Sequence, residues 1–386
     1  MTFISEKSKA TPGSVIREMF AMQDGMQDVI SFALGEPDFT APLHVIDAIV
    51  DSLHRGETHY TPNSGIPELK QAISDSYKQR GLFYESDEII VGAGAISLLN
   101  IAATAVLDIG DEVLIPDPGW ANYKGLFLQL GAVPVPVKVK EENGFMYDVS
   151  DLRASITDKT KLILLNSPSN PTGGVAGRSL LEEIAKLARE EDLYILTDEI
   201  YRELLWTDEP YTSIAELEGM KERTIIVDGF SKTYAMTGLR LAYAAAPHDV
   251  ITVMTKLLEN VLSSVNEGTQ WGGIAALTGD KEYILQMKQE YASRRELITK
   301  LLNSIDGISC KSPSGAFYVF PNIKATGLSS RDFAIRLLKE KQVVVVPGSG
   351  FGEGGEGYIR LSYATSKENI QRGLLRIKEF VEELMR

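Results

Sequence analysis

Cysteine occurs once in 386 residues, at Cys310. No intrachain disulfide can form, and the chain suits a reducing compartment. The lone thiol reads as a small packed residue rather than a reactive one. Histidine is also scarce: His44, His54, His59 and His248 are scattered without metal-ligand spacing, so no catalytic metal is expected. No apolar run approaches the ~18 residues that a membrane span requires. The opening MTFISEKSKATPG contains no signal-peptide apolar segment, and a cytoplasmic location is expected. Lys and Arg number 39 against 53 Asp and Glu, for a formal net charge of -14, and no basic block stands out. That balance favours solubility and argues against a nucleic-acid partner, because phosphate backbones are bound through clustered cations. A serine hydrolase has no support either, since no G-x-S-x-G elbow is present.

What is present is a chain with 44% hydrophobic residues, enough to bury a large core, and long enough for two domains. The runs EIIVG (88–92), EVLIP (112–116), KLILLN (161–166), LYILTD (193–198), TIIV (224–227) and LAYAAAP (241–247) read as strands. Helical patterns such as LLEEIAKLAREE (180–191) stand between them, and this alternation predicts an α/β fold with a mostly parallel sheet covered on both faces. Towards the C-terminus the pattern changes. ISC, AFYVFP and VVVVPG are strand-like while 331–341 and 367–386 are helix-like, which predicts a smaller α+β unit. Near the other end, VIREMF (15–20) predicts a short amphipathic helix on an N-terminal arm.

Three places concentrate chemistry. The loop after TIIV carries Ser231, Lys232, Thr233 and Arg240, so one amine, several hydroxyls and one guanidinium leave the same strand, able to hold a phosphate and a carbonyl together. The turn Gly92-Ala93-Gly94 opens a predicted helix whose free N–H groups and dipole favour an anion. It also imitates the start of a dinucleotide fingerprint, but Ser97 stands where the third glycine belongs, which leaves a nicotinamide cofactor as a minor alternative. Asp198 and Tyr201 fall where a predicted parallel strand stops, the edge at which open α/β sheets bind ligands.

Seven motifs in order, SFALGEPDF, HYTPNSGIPELK, NSPSNPTGG, LTDEIY, FSKTYAMTGLR, SGAFYVF and YIRLSYATS, extend over nearly the whole chain. Together they resemble the class I aminotransferases of fold type I, which depend on pyridoxal phosphate. The resemblance implies a seven-stranded, mostly parallel sheet in a large domain at 46–284, with an arm and small domain formed by 1–45 and 285–386. It implies Lys232 as the Schiff-base lysine that shuttles the α-proton, and Asp198 as the carboxylate that keeps the pyridine nitrogen protonated. Asn170 and Tyr201 would hydrogen-bond the ring oxygen, and Trp120 would stack on the ring. Ser231, Arg240 and the backbone of Ala93 and Gly94 would hold the phosphate, joined by Tyr60 of a neighbouring subunit in a homodimer. For the substrate, Arg360 would grip the α-carboxylate with its two-pronged fork, with Gly35 and Asn170 beside it.

The substrate is less determined. Acid-specific members of the family place an additional Arg after the strand LAYAAAP, or a Lys in the glycine-rich turn. Here residues 241–293 contain no Arg and the turn reads Gly-Ala-Gly-Ala. A neutral, possibly aromatic, amino acid is therefore the expected donor, with 2-oxoglutarate as acceptor. An aspartate aminotransferase, a carbon-sulfur β-lyase on the same scaffold and a non-catalytic effector domain remain as alternatives, and Arg17 on the arm is a candidate partner for an acidic side chain.

Overall fold

The computed structural model describes residues 3–5, 8–9 and 11–386. The N-terminal arm expected from the sequence includes residues 1, 2, 6, 7 and 10, which lie outside the described residues. The strands are β1 (Ile30–Ser31), β2 (Ile89–Gly92), β3 (Glu112–Asp117), β4 (Val133–Lys138), β5 (Thr160–Asn166), β6 (Tyr194–Asp198), β7 (Thr224–Gly229), β8 (Ala242–Ala245), β9 (Tyr318–Val319), β10 (Val343–Val344), β11 (Val346–Pro347) and β12 (Ile359–Ser362). A seven-stranded sheet runs in the order β2-β8-β7-β6-β5-β3-β4. It is parallel apart from β8, which is antiparallel to both β2 and β7.

The central strands are apolar throughout because both faces are covered, and successive side chains serve opposite faces. Along β7, Ile225 and Val227 join the cluster under helices Ala95–Val106 and His248–Val261. Ile226 faces the other way, towards Leu69 and Ile73 of helix Pro67–Gln79. β4 is the strand without a counterpart in the sequence reading. Its segment VPVPVK carries two prolines, which cannot donate to a ladder on both sides, and it forms the sheet edge next to β3.

The remaining strands are short. β11, β12 and β9 form an antiparallel three-stranded sheet, and β1 pairs in parallel with β10. The run VVVVPG is thus divided between two sheets, β10 in one and β11 in the other. ISC forms only an isolated bridge, between Ser309 and Asn322. The arm helix Val15–Ala21 is capped by Ser14 and docks with its Val15, Glu18 and Met19 face. Val15 lies against Gly350, Glu18 pairs with Arg331, and Met19 is buried.

Behind the large sheet lies a buried ion network. Glu199 has no exposed surface; it accepts a hydrogen bond from Ser213 at 2.5 Å and pairs with Arg80 at 3.4 Å. Alongside, Arg202 pairs with Asp228, which also accepts from Tyr243 at 3.0 Å. Removing one member of such a pair leaves its partner charged and desolvated. Glu199→Ala is therefore expected to lower unfolding stability by about 3 kcal/mol. Chemical denaturation checks this, and an unchanged midpoint would show that Arg80 finds solvent instead.

Candidate active site

Strand register brings the candidate residues to one edge. Asn166 of β5 is level with Asp198 of β6, and Asp198 with Val227 of β7, so the segments leaving all three strands begin side by side. β2 and β3 contribute the turns before helices Ala95–Val106 and Asn122–Leu130 at the same carboxyl edge. The small sheets meet this edge with Gly35 after β1, Tyr318 of β9 and Arg360 of β12. Between them lies a cavity of about 580 Å³, within the ~300–1,000 Å³ usual for small-molecule sites.

Of the residues singled out in the sequence, Gly35, Trp120, Asn170, Asp198, Tyr201, Ser231, Lys232, Arg240 and Arg360 line this cavity. Ala93 and Gly94 stand just behind the wall, which Ala95 and Ile96 form. Gly94, at φ 84°, is the residue before the helix, and a Cβ on it would meet the Arg240 guanidinium at 2.3 Å. Its bareness is what lets the arginine lie against the helix entry. Tyr60 does not line the cavity of its own chain; it is 90% exposed.

Lys232 projects into the cavity and donates a hydrogen bond to the Gly35 carbonyl at 2.5 Å. Its ammonium lies 5.7 Å from the Tyr201 ring centre and 5.9 Å from that of Phe317. Burial pushes its pKa down to about 8, aided by Arg360 and Arg240 and opposed by Glu36 and Asp198. Asp198 is buried on the opposite argument: loss of water raises its pKa to about 6, against hydrogen bonds from the Tyr123 hydroxyl at 2.7 Å and the Ile200 amide at 3.3 Å. Asn166 orders the neighbouring loop, donating to the Asp198 carbonyl at 3.2 Å and accepting from the Asn170 amide at 2.9 Å.

Arg360 has no exposed surface. A strand-edge surface arginine is the default reading of such a residue, and the fold overturns it by closing β9 and β11 over both sides of β12. One terminal nitrogen donates to Asn170 Oδ1 at 3.0 Å and the other to the Ala33 carbonyl, while Nε has no partner. Its guanidinium is 4.7 Å from the Tyr318 ring and 5.0 Å from Phe351, and among the described residues no carboxylate pairs with it. Burial lowers its pKa from the usual arginine value.

Two site residues escaped the sequence reading. Tyr123 holds Asp198, and it sits one helical turn beyond Trp120, whose ring it meets edge-on at 5.2 Å. Tyr318 lies inside the motif SGAFYVF, where its hydroxyl is 2.7 Å from that of Tyr201. The same hydroxyl would be 2.2 Å from a Cβ at Gly35, so the turn glycine is required by a tyrosine nearly three hundred residues away. Helical spacing past a candidate aromatic was the available signal for the first; nothing local marks the second.

Comparison with known proteins places this arrangement. Residues 27–377 match the family model for aminotransferase class I and II. An aspartate aminotransferase from Pyrococcus horikoshii is 42% identical over 98% of this chain and 97% of its own. An aromatic-amino-acid aminotransferase from Thermococcus litoralis is 39% identical over 98% of both chains. Among solved structures, the aromatic aminotransferase of Pyrococcus horikoshii superposes with a TM-score of 0.91 at 40% identity, covering 95% of this chain and 99% of that one. The aspartate aminotransferase of Thermus thermophilus with maleate gives 0.94 at 36% identity, covering 98% of this chain and all of that one. With a fold, a carboxyl-edge lysine site and full-length relatives in agreement, the chain belongs to the class I and II aminotransferases.

Proposed function

We propose that this aminotransferase moves the amino group of a neutral or aromatic L-amino acid to a 2-oxo acid, using pyridoxal 5'-phosphate held by the residues of the cavity. The observation that carries this reading is Arg360: a buried guanidinium with a free Nε and no acidic partner calls for an anion from outside the protein. An amino-acid α-carboxylate supplies one, and the Asn170 side chain holds the fork in orientation to receive it. The walls beyond it, Leu34, Ile96, Leu99 and Trp120, are uncharged and suit an apolar side chain.

The cavity fits the cofactor as well. Arg240 against the bare Gly94, with Ser231 and the free amides at the start of helix Ala95–Val106, would hold its phosphate. Asp198, held by Tyr123, would face its ring nitrogen, and Tyr201 and Asn170 its ring oxygen. When bound, the cofactor supplies an electron sink for the substrate's α-carbon. Lys232 would hold the cofactor, and its amine, directed into the cavity beside the Gly35 carbonyl, would take the substrate's α-proton and return it. Its depressed pKa supplies a free amine near neutral pH, which an ordinary lysine would not. Tyr318, bonded to Tyr201, fixes that hydroxyl so that its rotation is not left to solvent.

The division into a cofactor-binding body at 46–284 and a second body from 1–45 and 285–386 follows the distribution of the two groups of strands. We also infer a homodimer. Tyr60 is 90% exposed, Leu43 and Val261 are also large exposed apolar side chains, and a second copy covering Tyr60 would bring it to the partner's phosphate site. The lone buried thiol is compatible with work in the cytoplasm.

Three measurements test these readings. Fixation of pyridoxal phosphate by borohydride is expected to require Lys232 and to accelerate as pH rises through about 8, levelling off above it, because the amine loses its proton over that range. A rate still climbing at the pH of ordinary lysines would contradict the role of burial, and fixation by Lys232→Ala would move the site elsewhere. In single turnovers with one amino acid and no acceptor, phenylalanine or tyrosine should release its oxo acid at least about tenfold faster than aspartate, whose side-chain carboxylate meets apolar walls. Aspartate reacting faster would reverse the donor assignment. Sedimentation should show a dimer, and Tyr60→Phe should weaken cofactor retention by a few-fold; a fully active monomer rejects the shared site.

A further inference from the structure

Tyr201 and Tyr318 meet at the cavity wall through their hydroxyls, 2.7 Å apart, and among the described residues neither hydroxyl has another hydrogen-bond partner. Both residues are buried and their rings are locked together: Phe317 stands edge-on to Tyr201 at 5.5 Å and tilted against Tyr318 at 4.9 Å. Gly35 closes another side of the Tyr318 hydroxyl, where a Cβ would collide with it. With the rings fixed, the freedom left to the pair is which oxygen donates. A phenol carries one proton, so this choice decides what Tyr201 can offer to the cavity. If Tyr201 donates to Tyr318, it meets a ligand only as an acceptor; if Tyr318 donates, the Tyr201 proton is free to point inward.

The charges around the pair are not symmetric. Arg360 lies over the Tyr318 ring at 4.7 Å, buried and without a carboxylate partner among the described residues. On the Tyr201 side stands the carboxylate of Asp198, in the same cavity wall. Lys232 is 5.7 Å from the Tyr201 ring, and burial lowers its pKa to about 8, so above that pH its charge is gone. A cation beside a phenol makes it the stronger donor, and a carboxylate does the reverse. Burial raises the pKa of both phenols. At Tyr318 the Arg360 charge and the bond to Tyr201 oppose the rise, whereas Tyr201 is pushed well above the usual tyrosine value by burial, with Tyr318 and Asp198 adding to it and Arg360 opposing it. Tyr318 is thus the more acidic of the two and the natural donor.

We propose that Tyr318 is a positioning residue that donates its hydroxyl proton to Tyr201 and so aims the Tyr201 proton into the cavity, at the ring oxygen of the bound cofactor. The buried Arg360 then has a second task besides anchoring a carboxylate, because it sets the polarity of this hydroxyl pair. Accepting from Tyr318 also polarises Tyr201, which strengthens the bond its own proton makes. In this role Tyr318 acts only through Tyr201. The proposal rests on the cofactor reading given above, with Tyr201 facing the ring oxygen.

Titrating the visible absorbance of the cofactor-loaded protein with pH tests this without turnover, in the wild type, Tyr318→Phe, Tyr201→Phe and the double variant. A donor at the ring oxygen withdraws charge from it and lets the lysine-linked cofactor lose its proton at lower pH, so the midpoint reports the Tyr201 bond. Tyr318→Phe should raise the midpoint by about 0.5 pH unit and Tyr201→Phe should raise it further, while adding Tyr318→Phe to Tyr201→Phe should move it by less than about 0.2. Calorimetry on the cofactor-free protein should show Tyr318→Phe binding pyridoxamine 5'-phosphate about threefold more weakly. The phenylalanine keeps a ring over Arg360, so the loaded variant should bind 3-phenylpropionate within about twofold of the wild type. A midpoint that falls in Tyr318→Phe would mean that Tyr201 had been donating to Tyr318 and was released, which overturns the proposal, as does an unchanged midpoint. A rise that persists in the Tyr201→Phe background, or a matching loss of 3-phenylpropionate affinity, shows a packing role and overturns it too. If neither the wild type nor Tyr201→Phe has a pH-dependent band, the cofactor reading itself has failed and the proposal falls with it; a midpoint that responds to Tyr201→Phe but not to Tyr318→Phe overturns the proposal alone.

Discussion

A guanidinium with no exposed surface and no acidic partner is an expensive thing to build into a fold, at about several kcal/mol of lost hydration. Arg360 is such a group, and the site is arranged to tolerate it. Asn170 and the Ala33 carbonyl accept from its terminal nitrogens, and Tyr318 and Phe351 offer ring faces. None of these neutralises the charge. Its field also helps hold down the pKa of Lys232, so the same uncompensated cation that calls for a carboxylate keeps the nucleophilic amine deprotonated more easily. A bound carboxylate would cancel part of that field and make the lysine a better proton acceptor at the stage when it has to take one.

Asp198 shows the complementary problem. Burial raises its pKa to about 6, which leaves the carboxyl partly protonated near neutrality even with its hydrogen bonds in place. Tyr123 and the Ile200 amide favour the charged form, and a protonated ring nitrogen would favour it further. The ion network of Glu199 and Asp228 lies directly behind, on the residues adjoining Asp198 and the lysine loop. Asp228 raises the Asp198 pKa, so the network's internal pairing with Arg80 and Arg202 limits how far that repulsion reaches. Supporting charges behind a reactive carboxylate thus have to be paired among themselves.

The legible part of this molecule is the part written in continuous apolar runs. β2, β3, β5, β6, β7 and β8 were readable because each is a short run of Ile, Leu, Val or Ala ending in a turn, and the carboxyl-edge argument pointed to Asp198 and Tyr201, which both line the cavity. β4 was not, because prolines at 134 and 136 contradict strand propensity and are tolerated only through its edge position. The runs AFYVFP and VVVVPG are legible as strands, but nothing in them shows that they flank the strand of Arg360, so its burial had no local sign. Tyr318 and Gly35 form a steric pair that exists only in three dimensions, and Tyr123 is an ordinary helical tyrosine until its hydroxyl meets Asp198.

The arm adds a different kind of information. Segment 15–20 reads as a plain amphipathic helix, and its hydrophobic pattern explains the docked face but says nothing about where the opposite face points. That direction depends on where Gly350 and Arg331 lie, two positions more than three hundred residues away. This side of the cavity wall can therefore change without touching the sheet edge. Lys232, Asp198 and Arg360 are held by register and burial, and under the proposed reaction substitutions there would disturb turnover for every substrate. The arm residues 16 and 17 stand at the cavity wall on a helix of seven residues, so they can vary with far smaller consequences for folding.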